Sequence, residues 1–191
     1  MLMRIKNSQK GFTLVELLIV LAILGLFAAK LVADYRGDKA KAQTMLTNMG
    51  SLSDATVRMK FDTGCYPINL SLLTDETLAA NGANNWCGKD LTATWSGPYL
   101  NKTPTNADGT IKADEITGEA FYSFERMNAG GKTYYSVKAN GINMEVVKEA
   151  MRICNKAAAT GPGDFVSSRC VAPDGVTADV GSFEVLVTEN R

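Results

Sequence analysis

Residues 10–29 read Lys10-Gly11-Phe12-Thr13-Leu14-Val15-Glu16-Leu17-Leu18-Ile19-Val20-Leu21-Ala22-Ile23-Leu24-Gly25-Leu26-Phe27-Ala28-Ala29. From Phe12 to Ala29 one charge, Glu16, interrupts an eighteen-residue run that is at the lower limit for a helix crossing a bilayer. Arg4, Lys6 and Lys10 precede it. A basic flank of this kind predicts a cytoplasmic N-terminus, with everything after Lys30 exported. An ordinary secretory signal cut near Ala28 and Ala29 would share the three-part layout. Two features oppose it: the run is longer than a usual signal core, and it holds a carboxylate. Near a bilayer centre Glu16 costs on the order of 2.5–3.5 kcal/mol, so it is expected to be used. Within its own apolar run it has no evident partner.

Outward from this run, the 191 residues are enough for one domain with a core plus an appendage. The 20 basic and 20 acidic residues balance, which leaves no overall field to gather nucleic acid or an acidic surface. Histidine is absent, removing the commonest general base and the commonest transition-metal ligand. No Gly-rich phosphate loop or nucleophile elbow appears, so the expectation is a protein that is not an enzyme and has no cofactor or metal. The oxygen-rich stretch Asn106-Ala107-Asp108-Gly109-Thr110 lacks the distant glutamate of a calcium loop and reads as a turn.

Over residues 38–61 the positions Ala42, Met45, Leu46, Met49, Leu52, Thr56 and Met59 recur at spacings of three and four, predicting an amphipathic helix that continues the apolar one. A methionine stripe at that spacing is core. A short helix is expected over 71–80. Residues 120–127 and 132–139 alternate as strands around Asn128-Ala129-Gly130-Gly131, which predicts a hairpin. A second helix is expected over 144–159, capped by Asn143, with Val146, Val147, Ala150, Met151 and Cys154 on one face. Residues 182–188 read as a final strand. The predicted class is α+β: a long N-terminal helix, half transmembrane and half amphipathic, packed on a small antiparallel sheet. Strand aromatics such as Tyr122, Phe124 and Tyr135 have no interleaved basic cluster, so core packing is preferred to stacking on nucleic acid.

The stretch from Lys10 to Gly25 resembles, nearly residue for residue, the prepilin signature of type IV pilins and type II secretion pseudopilins. The resemblance implies a leader of residues 1–11, removed between Gly11 and Phe12 by a prepilin peptidase, and N-methylation of Phe12. It implies a transmembrane and assembly helix over 12–34 and an exported globular domain over 35–191. Loss of Arg4, Lys6 and Lys10 would leave 20 − 3 = 17 basic against 20 acidic residues. In the family Glu16 would meet the N-terminal amine of a neighbour in a helical homo-oligomeric filament, drawn from the inner membrane by an assembly platform and motor. Many members have a proline near the position of Ala33. This chain has Ala33-Asp34-Tyr35, so a break in the filament helix would rest on Gly25 alone.

Further along, Gly64-Cys65-Tyr66-Pro67 is similar to the Gly-x-Tyr-Pro corner of pilins and pseudopilins, and Trp95-Ser96-Gly97-Pro98-Tyr99-Leu100 resembles the Gly-Pro-Tyr-Leu element of major pseudopilins. Cys154 and Cys170 resemble the pair bounding the C-terminal loop of type IV pilins. By proximity and analogy Cys65 is expected to pair with Cys87 and Cys154 with Cys170, one of three pairings that four cysteines allow. The expected function is a structural type IV pilus subunit. Its rivals are a type II secretion pseudopilin and a membrane-anchored periplasmic binding module.

Overall fold

The computed structural model describes residues 13–101, 103–156, 165, 168–173 and 179–190. Its contacts divide the chain into two units, Met1–Gly37 and Asp38–Arg191. Helix α1 spans Leu14–Thr63 and supplies residues to both. In the first unit the large apolar side chains from Leu14 to Phe27 are all exposed, the least of them 48%. Among the described residues no helix is long and apolar enough to cross a membrane. The described side chains of this run stop at Lys30.

In the second unit α1 is amphipathic, as the spacing predicts. Ala42, Met45, Met49, Leu52, Ala55, Thr56 and Met59 are buried, and all but Thr56 belong to one apolar cluster that includes Tyr122, Phe124, Val137, Phe183 and Val185 of the sheet. Thr56 satisfies its hydroxyl locally by donating to Ser53 O at 2.8 Å. The helix ends at Gly64, which takes the left-handed conformation at φ 77° and donates its N–H back to Lys60 O.

The sheet has five antiparallel strands in the order β1-β2-β3-β5-β4, with β1 at Ile111–Lys112, β2 at Phe121–Ala129, β3 at Lys132–Asn143, β4 at Cys170–Val171 and β5 at Val180–Asn190. The expected hairpin is β2 with β3, turned by Gly130 and Gly131, both at positive φ. Its strand β3 runs past the predicted end. A register shift between Ala139 and Ile142 accommodates Gly141 at φ 71°, where an added Cβ would approach Glu119 O to 3.0 Å. This is a bulge of the kind that bends a strand and lets pairing resume beyond it.

Helix α2, Met144–Asn155, starts where Asn143 Oδ1 accepts from Glu145 N at 2.9 Å. It buries Met144, Val146, Val147, Ala150 and Met151. The predicted helix extends to 159, but α2 stops at Asn155 because Lys156 turns left-handed at φ 54°. Residues 157–159 lie outside the described residues. The helix expected over 71–80 is instead a series of 3-10 turns, Leu70–Leu73, Glu76–Leu78 and Gly82–Asn84. The side chains of Asn69, Asp75 and Asn81 each accept the N–H two residues ahead, which competes with a continuous helix.

One carboxylate is buried on the sheet. Glu184 of β5 is 3% exposed, accepts from Ser136 Oγ at 2.8 Å and lies 3.7 Å from Lys138 Nζ. Burial raises its carboxyl above the ordinary range, against the lowering pull of Ser136 and Lys138, and the Glu125 charge adds to the rise. A raised native pKa means that the folded state binds this proton more readily than the unfolded chain. Ionised Glu184 therefore weakens the fold above its native pKa, and the penalty fades as pH falls towards the unfolded value of about 4.3. Glu184→Gln is expected to melt above the parent at neutral pH, with the gap closing as the pH approaches 4. Thermal unfolding of both proteins across that range checks it; a gap that widens on acidification contradicts the sign.

Candidate functional site

The candidate assembly segment begins with a cap. Thr13 precedes the first residue of α1, and its N–H and hydroxyl both donate to Glu16 Oε2, at 3.0 and 2.9 Å. In return Glu16 N donates to Thr13 Oγ1 at 3.3 Å. Thr13-Leu14-Val15-Glu16 is thus a capping box, in which the first and fourth residues satisfy each other's orphan groups. This corrects the reading of Glu16 as lacking a partner in its own run. The pattern, a threonine three residues before a glutamate at the start of an apolar run, is readable in the sequence. Its negative charge also sits in the first helical turn, where the helix dipole favours an anion.

Beyond the cap, the exposed side chains do not form a stripe. Leu17, Leu18, Ile19, Val20 and Leu21 are consecutive and point around the whole circumference, each at least 48% exposed. A helix apolar all round is stable only where its surroundings are apolar on every side. Gly11 and Phe12, the expected cleavage and methylation positions, lie outside the described residues.

In the second unit the cysteines form two local disulfides, Cys65 to Cys87 and Cys154 to Cys170, with Cα separations of 5.8 and 6.2 Å. The first closes the region after α1. The second ties the end of α2 to β4, and beside it Asn155 Nδ2 donates to Cys170 O at 2.9 Å. Loops of this size make each bond worth about 3 kcal/mol on the chain-entropy estimate.

The Trp95 to Leu100 element is a packed corner. Trp95 Nε1 donates to Leu72 O at 3.0 Å, the Tyr99 ring meets the indole edge-on at 5.6 Å between centroids, and Ser96 N donates to Tyr99 Oη at 3.0 Å. Gly97 is required here because a Cβ would overlap the Trp95 ring. Arg58 of α1 donates to Tyr99 O at 2.7 Å, tying the corner to the helix. Residues 106–110 form a turn in which Asp108 accepts from the Thr110 N–H and hydroxyl. The strand aromatics are buried: Tyr122, Phe124, Tyr134 and Tyr135 are at most 8% exposed, so their faces are unavailable to a base.

A model described as the prokaryotic N-terminal methylation motif matches residues 6–29. Type II secretion system core protein G of Escherichia coli (strain K12) is 36% identical over 67 residues, 34% of this chain and 46% of that protein. A fimbrial protein of Moraxella nonliquefaciens is 36% identical over 106 residues, 55% of this chain and 63% of that protein. Fimbrial protein EcpC of Eikenella corrodens is 32% identical over 108 residues, 56% of this chain and 60% of that protein. The chain spans about half the length of the curated relatives it matches. No solved structure matches it. The motif over residues 6–29 and these relatives make the chain similar to type II secretion core protein G and to fimbrial proteins.

Proposed function

We propose that this protein is a structural subunit of a type IV pilus, made as an inner-membrane precursor and polymerised through residues 12–34 into an extracellular filament. The observation that carries the reading is the apolar helix exposed around its whole circumference, on a chain whose second unit has a conventional buried core. Such a surface is at rest in lipid before assembly and among identical helices afterwards. The transfer between them gains little hydrophobic energy, because lipid tails are as apolar as leucine. Polar pairing is then needed to set register, and Glu16 is the only acid in the run. The partners on this reading are a prepilin peptidase acting between Gly11 and Phe12, the assembly platform with its motor, and further copies of the chain.

A second reading, a type II secretion pseudopilin, is favoured by the Trp95 to Leu100 corner and by the core protein G relatives. The disulfide-bounded segment between Cys154 and Cys170 favours the pilin. Electron microscopy of material sheared from cells at natural expression separates the two: long surface fibres containing this chain are expected, and their absence favours the pseudopilin.

Processing is tested by intact mass. Protein extracted from its native membrane is expected to lack residues 1–11 and to carry one added methyl group on Phe12; a product beginning near Lys30 would show an ordinary signal peptide instead.

Three substitutions separate the charge of Glu16 from its cap. Thr13→Val removes the capping hydroxyl and leaves the charge, Glu16→Gln keeps an acceptor oxygen and loses the charge, and Glu16→Val loses both. If register depends on the charge, Thr13→Val is expected in sheared fibres near the parent amount, while both Glu16 variants are made and inserted but missing from fibres. Normal fibres from Glu16→Val would leave apolar packing as the sole driving force.

A further inference from the structure

A cavity of about 210 Å³ opens between α1 and the segment from Leu100 to Glu115. One water needs about 10–15 Å³ of such space, whereas sites for drug-sized ligands run to about 300–1,000 Å³, so the cavity suits a small molecule. Its apolar walls include Leu52, Leu100 and Ile111, and its polar lining includes Thr103, Lys112 and Glu115.

The polar groups are held in place yet incompletely used. Glu115 Oε1 accepts from Tyr122 Oη at 3.1 Å and from Asn48 Nδ2, so the carboxylate is anchored from both the sheet and the helix. Burial and the nearby Glu115 charge hold the Tyr122 phenol well above its usual pKa, which keeps it a donor. Among the described residues, no donor reaches Glu115 Oε2, Lys112 forms no ion pair, and the buried Thr103 Oγ1 has no hydrogen-bond partner. Two opposite charges thus line one small cavity without neutralising each other, beside a hydroxyl that lacks a bond.

We propose that this cavity binds a small zwitterion of the free α-amino acid class, with its ammonium on Glu115, its carboxylate on Lys112 and an apolar side chain against Leu52, Leu100 and Ile111. The Thr103 hydroxyl completes the polar set. A simple cation would be repelled by Lys112 and a simple anion by Glu115, while a neutral polyol would leave both charges unanswered. Lys112 and Glu115 are both exposed residues, so solvent screens each charge on its own, and a ligand that answers both at once gains from the pair. The site is independent of the assembly role of residues 12–34.

The test is isothermal titration of the full chain in detergent micelles with L-leucine, L-leucinamide, 4-methylpentanoate and glucose. Saturable one-to-one binding of leucine is expected. Leucinamide, lacking the carboxylate, and 4-methylpentanoate, lacking the ammonium, are each expected to bind at least tenfold more weakly. Glu115→Gln is expected to weaken leucine at least tenfold without weakening 4-methylpentanoate, and Lys112→Gln to do the same for leucine while sparing leucinamide. Lys112 has no part in the bonds anchoring Glu115, so its variant reports on binding even if Glu115→Gln loosens the loop. No saturable heat with leucine, equal binding of leucine and its two analogues, saturable binding of glucose, or leucine binding indifferent to both substitutions would each overturn the proposal.

Discussion

Everything in this chain is arranged around one constraint: a helical segment apolar on every side, which its own fold leaves exposed from Leu14 to Phe27. Such a segment has no stable place in water. Each large side chain left exposed forgoes roughly 1.5–3 kcal/mol that burial would supply, so the run seeks lipid or like helices. The second unit imposes the opposite requirement. It has to fold as a separate, water-compatible body on the C-terminal part of the same helix. The change from an all-round apolar surface to one buried stripe, beginning at Ala42, reconciles the two within α1.

That second unit combines a buried core with covalent closure of its loop-rich parts. The sheet and helices share one core, but the stretch between Gly64 and Thr110 contains little regular structure. It is held by backbone bonds such as Trp86 N to Tyr66 O and Tyr99 N to Leu73 O, by the Trp95 and Tyr99 corner, and by Cys65 to Cys87. Arg58 of α1 bonds to Tyr99 within this region, and Asn48 bonds to Glu115 just beyond it. A loop-rich region gains from covalent closure because its open chain has more conformations to lose. The disulfides are therefore placed where secondary structure is sparse, or where a two-residue edge strand, Cys170–Val171, needs an anchor.

The parts readable from sequence were those with a repeated period. The stripe from Ala42 to Met59, the alternation from Phe121 to Glu125 on β2, and the face of α2 each repeat often enough to outweigh local noise. Strands β1 and β4 are two residues long, too short for any alternation, and owe their existence to neighbours already in the sheet. The region over 71–80 misled because Leu70, Leu72 and Leu73 supply apolar residues, while Asn69, Asp75 and Asn81 divide the backbone into separate turns. The extension of β3 past Ala139 depends on Gly141, whose left-handed conformation is a tertiary outcome with no periodic signature. Of the candidate site, the apolar run and its acid were visible at once. The cap between Thr13 and Glu16 was written in the four-residue pattern but matters only once the helix start is known. The cavity beside Glu115 joins residues 48, 103, 112, 115 and 122, a combination that only the folded chain brings together.

The capping box alters the energetic argument about Glu16. A cap of this kind contributes about 1 kcal/mol, against on the order of 2.5–3.5 kcal/mol for a carboxylate at the bilayer centre. Glu16 lies in the first turn of α1, near one end of the apolar run, where the cost of insertion is smaller than at the centre. In the proposed precursor the cap would therefore offset part of what the charge costs. It also turns the carboxylate towards the start of the chain, with Oε2 3.0 Å from Thr13 N. On the proposed processing, the new amine belongs to residue 12, whose Cα is only about 3.8 Å from that of residue 13. The subunit's own amine then becomes a competitor for the carboxylate that a neighbour is proposed to engage. Both pairings place opposite charges together in a medium of low dielectric, so their difference is set by geometry and desolvation, with the charge product the same in each. On the proposed assembly, engaging the neighbour's amine would mean opening or sharing this local arrangement, so the bonds between Thr13 and Glu16 would compete directly with subunit pairing.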